Sequence, residues 1–358
     1  MTLELRTLAS LCVLSISLVA LPQIARAQTP RPFAVRVVDQ DTAEEFLDDL
    51  RDGDWLEAYV MTVNENGEPT GGETKTPVQA AQDARAAERN LTAAERWTTD
   101  RGNLAEAYAI TALGFSFVEP AIALRLARRG MVLREPDDSE VRMQLTYAQC
   151  EARYRLGTYP QALTDCRNAV KYAGEEEEGA IAWMARLRIV LMEPGQVSKA
   201  DAERFFEGEL LDGDNLSETS EQFGQLTPVA TIVARQMISD IARAVRVLQR
   251  FDLNRATFAF GILSVSAKAL GDEVARQAFM DEAIATDARI PGGMTPQRAG
   301  MRWTVCFQDA RSGRSAQALK SCLTARKAYV ELGRNEEYEG VDLMLDEIDG
   351  LLDRLGGR

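Results

Sequence analysis

CEARYRLGTYPQALTDC, residues 150–166, and CFQDARSGRSAQALKSC, residues 306–322, are the two stretches whose reading decides the fold. Each begins and ends on a cysteine, and the paired cysteines are sixteen positions apart. Gly157 and Gly313 follow the first cysteine at the same offset. Gln161-Ala162-Leu163 and Gln317-Ala318-Leu319 then precede the second cysteine at matching offsets. The chain therefore carries an internal repeat with a cysteine pair built into it.

Both glycines sit between two helical patterns, so each repeat reads as an antiparallel helical hairpin. The midpoint of Cys150 and Cys166 is Thr158, and that of Cys306 and Cys322 is Arg314, both in the turn. The two cysteines of a pair thus lie at equal depth, roughly 10 Å below the turn at a rise of 1.5 Å per residue. A disulfide needs Cα atoms within about 7 Å, which helices lined by small residues can reach. No Cys-x-x-Cys is present, as a redox dithiol would show, and the spacing is not that of a zinc site. Cross-links Cys150–Cys166 and Cys306–Cys322 are expected, with buried thiols as the remaining reading.

The first residues bear on the compartment. Arg6 precedes an apolar run from Leu8 to Leu21, Pro22 breaks it, and Ala25-Arg26-Ala27 forms a small-x-small cleavage site. This reads as a secretory signal peptide over residues 1–27, cleaved after Ala27. The alternative, an uncleaved anchor, would need a longer apolar run. Cys12 follows Leu11, where lipid attachment needs a small residue. A periplasmic or secreted location is expected, with no membrane span after cleavage, and it favours disulfides.

Composition excludes several functions. The chain has 358 residues, no histidine and a formal charge of -14, which speaks against nucleic acid or anionic lipid as partner. Without histidine there is no His-dependent triad, no His general base and no ordinary zinc site. No phosphate loop or nucleophile elbow stands out, and no cofactor or metal is expected. Asp212 to Glu218 lacks the glycine and ligand spacing of a calcium loop and reads as a solvated acidic loop. Glu175 to Glu178 reads as an exposed helix start.

Helix signals dominate the rest. Thr76-Pro77, Thr227-Pro228 and Thr295-Pro296 each set a capping hydroxyl before a proline at the first helical position. Thr42 with Glu45 reads as a capping box. Ile232, Val233, Met237, Ile241, Val245 and Leu248 are spaced as one buried face of a helix over 228–250. Asn64 to Lys75 reads as the longest loop, and Glu193-Pro194-Gly195 as a helix end.

The stretch from Tyr154 to Leu163, with Ala169 after it, resembles the tetratricopeptide repeat family. Gly157 falls in the turn, Tyr159 two residues on, and Ala162 and Ala169 at the small positions, as Ala318 and Ala325 do in the last repeat. Weaker likenesses appear at Gly53 to Ala58, at Ala123 and Gly130 before Glu135-Pro136-Asp137, and at Gly271 with Ala283, where Arg276 occupies the inner small position. The resemblance implies an all-α, helical-hairpin solenoid. Its expected organisation is a helical region over 28–100, hairpins over 101–178, an irregular helical middle over 179–253, and hairpins with a capping helix over 254–358.

Proteins of this family commonly bind a protein or peptide on the surface made by the first helices of their repeats. Carried over by position, that surface would include Tyr147, Glu151, Tyr154 and Arg155 in one repeat and Trp303, Phe307 and Arg311 in the last. The plainer reading is that Tyr147 and Trp303 pack against the neighbouring repeat. The repeat, the leader and the missing catalytic constellations together point to a protein–protein interaction or scaffold module of the bacterial envelope, not an enzyme. The rival is a cell-wall or glycan-active enzyme using paired carboxylates on a helical scaffold.

Overall fold

The computed structural model describes residues 32–52, 76–134, 138–173, 179–208, 226–311, 313, 315–334 and 340–356. The leader, Gly53 to Ala58, Asn64 to Lys75, Glu135 to Asp137, Glu175 to Glu178 and Asp212 to Glu218 lie outside the described residues. Those that are described are all-helical, with no strand among them. After a 3-10 turn at Pro32–Ala34 come α1 (Gln40–Asp52), α2 (Pro77–Ala94), α3 (Arg101–Phe115), α4 (Pro120–Leu133), α5 (Ser139–Arg155), α6 (Tyr159–Ala173) and α7 (Ala180–Met192). Then follow α8 (Lys199–Phe206), α9 (Pro228–Leu248), α10 (Leu253–Ala269), α11 (Glu273–Asp287), α12 (Pro296–Arg311), α13 (Ser315–Gly333) and α14 (Val341–Arg354).

The chain divides into two compact units, Met1–Ala244 and Val245–Arg358, with the boundary inside α9. In the first, α3 pairs with α4 and α5 with α6, each helix from α1 to α7 also touches the next, and α5 touches both α3 and α7. In the second, α10 pairs with α11 and α12 with α13, α14 lies on α13, and α10 touches α12.

The helix starts follow their caps. Thr76 accepts from the Gln79 amide while Gln79 reaches back, a complete capping box before Pro77. Thr227 and Thr295 cap in the same way through the amides of Ala230 (3.2 Å) and Arg298 (3.3 Å). Thr42 does not begin α1. Asp39 caps that helix by accepting from the Thr42 amide at 3.0 Å, which places Thr42 in its first turn. Asp39 is the better cap because its carboxylate also accepts the Thr42 hydroxyl at 2.6 Å. In α9, Val233, Met237, Ile241, Val245 and Leu248 are buried, but Ile232 is half exposed. Steps of four, four, four and three residues keep one stripe facing inward, and Ile232 falls about 100° off it.

The turns explain why the hairpins share a register. Gly157 has φ +74°, its N–H donates to Tyr154 O at 3.1 Å, and the next N–H donates to Arg153 O at 2.9 Å. This left-handed cap closes the last carbonyls of α5. Gly271 closes α10 with the same pair of bonds, both 2.9 Å, to Lys268 O and Ala267 O. Gly313 has φ +73°. Counting from these glycines, Ala162, Arg276 and Ala318 share one position, as do Ala169, Ala283 and Ala325.

At the depth expected from the turns, Cys150 bonds to Cys166 and Cys306 to Cys322, with Cα separations of 5.0 and 4.4 Å. Ala162, Ala169, Ala318 and Ala325 are fully buried beside them and allow that approach. The α10–α11 hairpin has Ser264 and Met280 at the cysteine positions. There the Ser264 hydroxyl donates to Arg276 O at 3.0 Å, one turn before Met280, so a hydrogen bond ties this hairpin in place of a disulfide. Arg276 is buried, its guanidinium turned back to Glu273 and Gln277.

Gly130, inside α4, is needed for close packing. A Cβ there would stand 2.7 Å from Leu145 Cδ2 and 2.9 Å from Tyr108 Cβ. Gly130→Ala is expected to destabilise by about 1 kcal/mol, overpacking outweighing the helix propensity of alanine. A variant more stable than the parent in urea would contradict this. Mass spectrometry of the unreduced protein should show both intra-hairpin disulfides and no cross-pairing. Replacing Cys150 and Cys166 together by alanine should cost roughly 3 kcal/mol of unfolding free energy, the chain-entropy value for a loop of this length.

Candidate functional site

In the first unit, the sequence-selected residues meet two that sequence reasoning missed. Glu151 on α5 is fully buried and takes both edges of the Arg188 guanidinium from α7, Nε to Oε2 at 2.5 Å and Nη2 to Oε1 at 3.0 Å. Arg155 Nε donates to Glu151 Oε1 at 2.6 Å from one turn further along α5. Arg188 Nη1 donates to Asp240 Oδ2 on α9 at 2.7 Å, and Met237 Sδ lies 3.2 Å from Nη2. Two carboxylates and two guanidiniums thus join α5, α7 and α9.

Aromatic side chains enclose this cluster. The Tyr147 hydroxyl lies 3.3 Å from Glu151 Oε2. Arg188 stands 4.7 Å over the Tyr154 ring and Arg155 5.0 Å over Phe117, geometries that favour a cation on a π face. Arg155 Nη2 is 3.5 Å from Asp240 Oδ2, a charge contact too long to be a hydrogen bond. Its Nη1 and Nη2 have no hydrogen-bond acceptor among the described residues.

The electrostatics follow from burial and charge. Burial pushes the Glu151 carboxyl upward, but the charges and hydrogen bonds of Arg188 and Arg155 outweigh it and hold Glu151 below the usual carboxylate range. Burial, then the Glu151 charge, pushes the Tyr147 phenol well up, so it stays protonated. Glu151 is therefore a fixed anion, paired twice, and not a carboxyl poised to release a proton.

The signal that could have found the missing pair is local. Arg188 sits in a helix whose other buried members include Ile181, Trp183, Met184, Leu187 and Val190. Asp240 lies between Ile238 and Ile241 on a buried helix. A charge in such surroundings requires an internal partner.

Tyr147 and Glu151 have no exposed surface, so the structure places them inside the unit and not on a docking face. Arg155 is nearly covered and Tyr154 partly exposed. Trp303, Phe307 and Arg311 are arranged differently. Trp303 packs partly on the core of the second unit, Phe307 is 40% exposed, and Arg311 is exposed. Their rings and guanidinium follow one another along α12, 5.7 Å from Trp303 to Phe307 with the rings tilted by 41°, and 5.1 Å from Phe307 to Arg311. The structure brings these three together, and separately Tyr147, Glu151, Tyr154 and Arg155.

The second unit also carries a groove of about 680 Å³ between the start of α12 and α13, lined by residues including Arg298, Arg302, Lys320 and Lys327. Among the described residues, no group of three or more His, Cys, Asp or Glu is placed to hold a metal ion. None of the described helices is long and apolar enough to cross a membrane.

Glu151→Gln should cost about 3–5 kcal/mol at pH 7, because Arg188 and Arg155 are then left buried beside a neutral amide. Glu151 is lowered by folding, so its contribution is present above its unfolded value near 4.5 and is lost as pH falls through the folded value. The difference between variant and parent in urea unfolding should thus be full at pH 7 and shrink in acid. A constant difference down to pH 3 would contradict this assignment. Compared with known proteins, the chain matches no family model and no curated protein.

Proposed function

We propose that this protein is an exported, tetratricopeptide-like binding and scaffold protein of the bacterial envelope, periplasmic or secreted, which holds a protein or peptide segment and catalyses no reaction. The observation that carries the reading is a comparison of three register positions. Ten, six and two residues before the turn glycine, α5 has Tyr147, Glu151 and Arg155, while α12 has Trp303, Phe307 and Arg311. On α5 they are closed in by Arg188 and Asp240. On α12 they leave Phe307 and Arg311 open to solvent. Aromatic and arginine side chains are the types enriched where binding energy concentrates.

Two further observations support the proposal. Helical hairpins in a common register build the extended surface on which chain segments dock. Two buried disulfides suit a protein that matures in an oxidising compartment. Catalysis by paired carboxylates gains no support from Glu151 and Asp240, since Arg188 binds both.

The reading is tested by capture from envelope extracts on the immobilised mature protein. Phe307→Ala with Arg311→Ala should reduce recovery of the captured partner at least tenfold, about 1.4 kcal/mol. The melting temperature should move by no more than about 2 °C, as expected for exposed positions. Equal recovery by parent and variant would refute the α12 face as the binding surface. A parallel loss of melting temperature would identify these side chains as structural.

A further inference from the structure

We propose that the second unit binds a second copy of this chain by seating the acidic outer face of α14 in the cationic groove along α13. This goes beyond the binding role proposed above and does not depend on it, because it uses different side chains.

The groove is defined by sequence spacing and by charge. Its α13 wall runs from Ala316 to Glu331, about 22 Å at helical rise. Leu323 is half exposed in the wall, with Lys320 one turn before it and Lys327 one turn after. Both lysines are exposed and make no ion pair among the described residues. Across the groove, Arg302 and Arg298 share the single carboxylate of Asp287, each at 2.8 Å. Glu331 is the acid in the lining, and its Oε1 accepts from the Met294 amide at 3.3 Å. In a chain of net charge -14, this groove has the opposite sign.

Helix α14 presents the complement. Val341, Ile348 and Leu352 are buried in the core of the unit. The outer face carries Leu343, 66% exposed, with Asp342 beside it and Asp346 and Glu347 one turn on. An exposed leucine among three carboxylates faces outward on α14, and a groove with Leu323 between two lysines opens on α13. Burying Leu343 against Leu323 removes apolar surface from water, and each acid gains a cation.

Groove and face belong to the same unit, so a two-fold arrangement satisfies both twice. Exposed ion pairs contribute little individually and are screened by salt. The association is therefore weak and salt-sensitive, with a Kd of roughly 10–100 µM, the range of small interfaces.

Sedimentation velocity of the mature protein, over a concentration series reaching about 200 µM, tests this. The weight-average mass should rise above the single-chain value and return to it in about 0.5 M NaCl, where screening acts within a few ångströms. Lys320→Glu with Lys327→Glu should abolish the rise, and so should Asp342→Lys with Asp346→Lys in a separate protein. An equal mixture of the two should associate again, because each altered groove then meets an altered face of opposite sign. Leu343→Ser, at an exposed position, should weaken association at least tenfold with the fold intact by circular dichroism. A parent that stays monomeric, variants that associate as the parent does, or a mixture that fails to recover would each overturn the proposal.

Discussion

The bidentate pairing of Glu151 with Arg188 is the contact on which the first unit most depends. A buried guanidinium is costly unless its donors meet acceptors and its charge meets a counter-charge. Arg188 meets both through Glu151 on α5 and Asp240 on α9. That requirement sets the mutual position of three helices more narrowly than apolar packing would. Leucine and alanine contacts tolerate small slides, whereas two parallel N–H···O bonds do not. The same cluster takes Arg155 in from the end of α5, so the last turn of that helix is nearly covered as well.

A shared register has been put to different uses. Glycine in the left-handed region ends α5, α10 and α12 in the same way, and this fixes which residues face each other down the hairpin. At the first cysteine position, two hairpins carry a disulfide and one carries a serine whose hydroxyl bonds to a backbone carbonyl across the hairpin. At the inner small position, two carry alanine and one carries a buried arginine. The backbone geometry is common to all three because the turn is common. The chemistry that crosses it is a local choice.

Charge is unevenly distributed in the second unit. Cations line the groove of α12 and α13, while acids cover the outside of α14. In a chain with a large net negative charge, a cationic groove distinguishes one surface from the rest. The aromatic and arginine row on α12 is a separate feature, held by ring contacts.

The sequence by itself determined the helical class, the turns at Gly157 and Gly313, the proline-led helix starts and the pairing of the four cysteines. These are local properties: a cap, a left-handed glycine and a fixed rise per residue each act within a few positions. It also named Tyr147, Glu151, Tyr154 and Arg155 as neighbours along one helix. It did not say that they face Arg188 and Asp240, because those lie 37 and 89 residues beyond Glu151 in the chain and meet it only when α7 and α9 fold against α5. The tertiary structure alone decided which of two equivalent triplets is closed and which is open. A charge has no fixed partner in sequence, and burial, which depends on the whole fold, selects one.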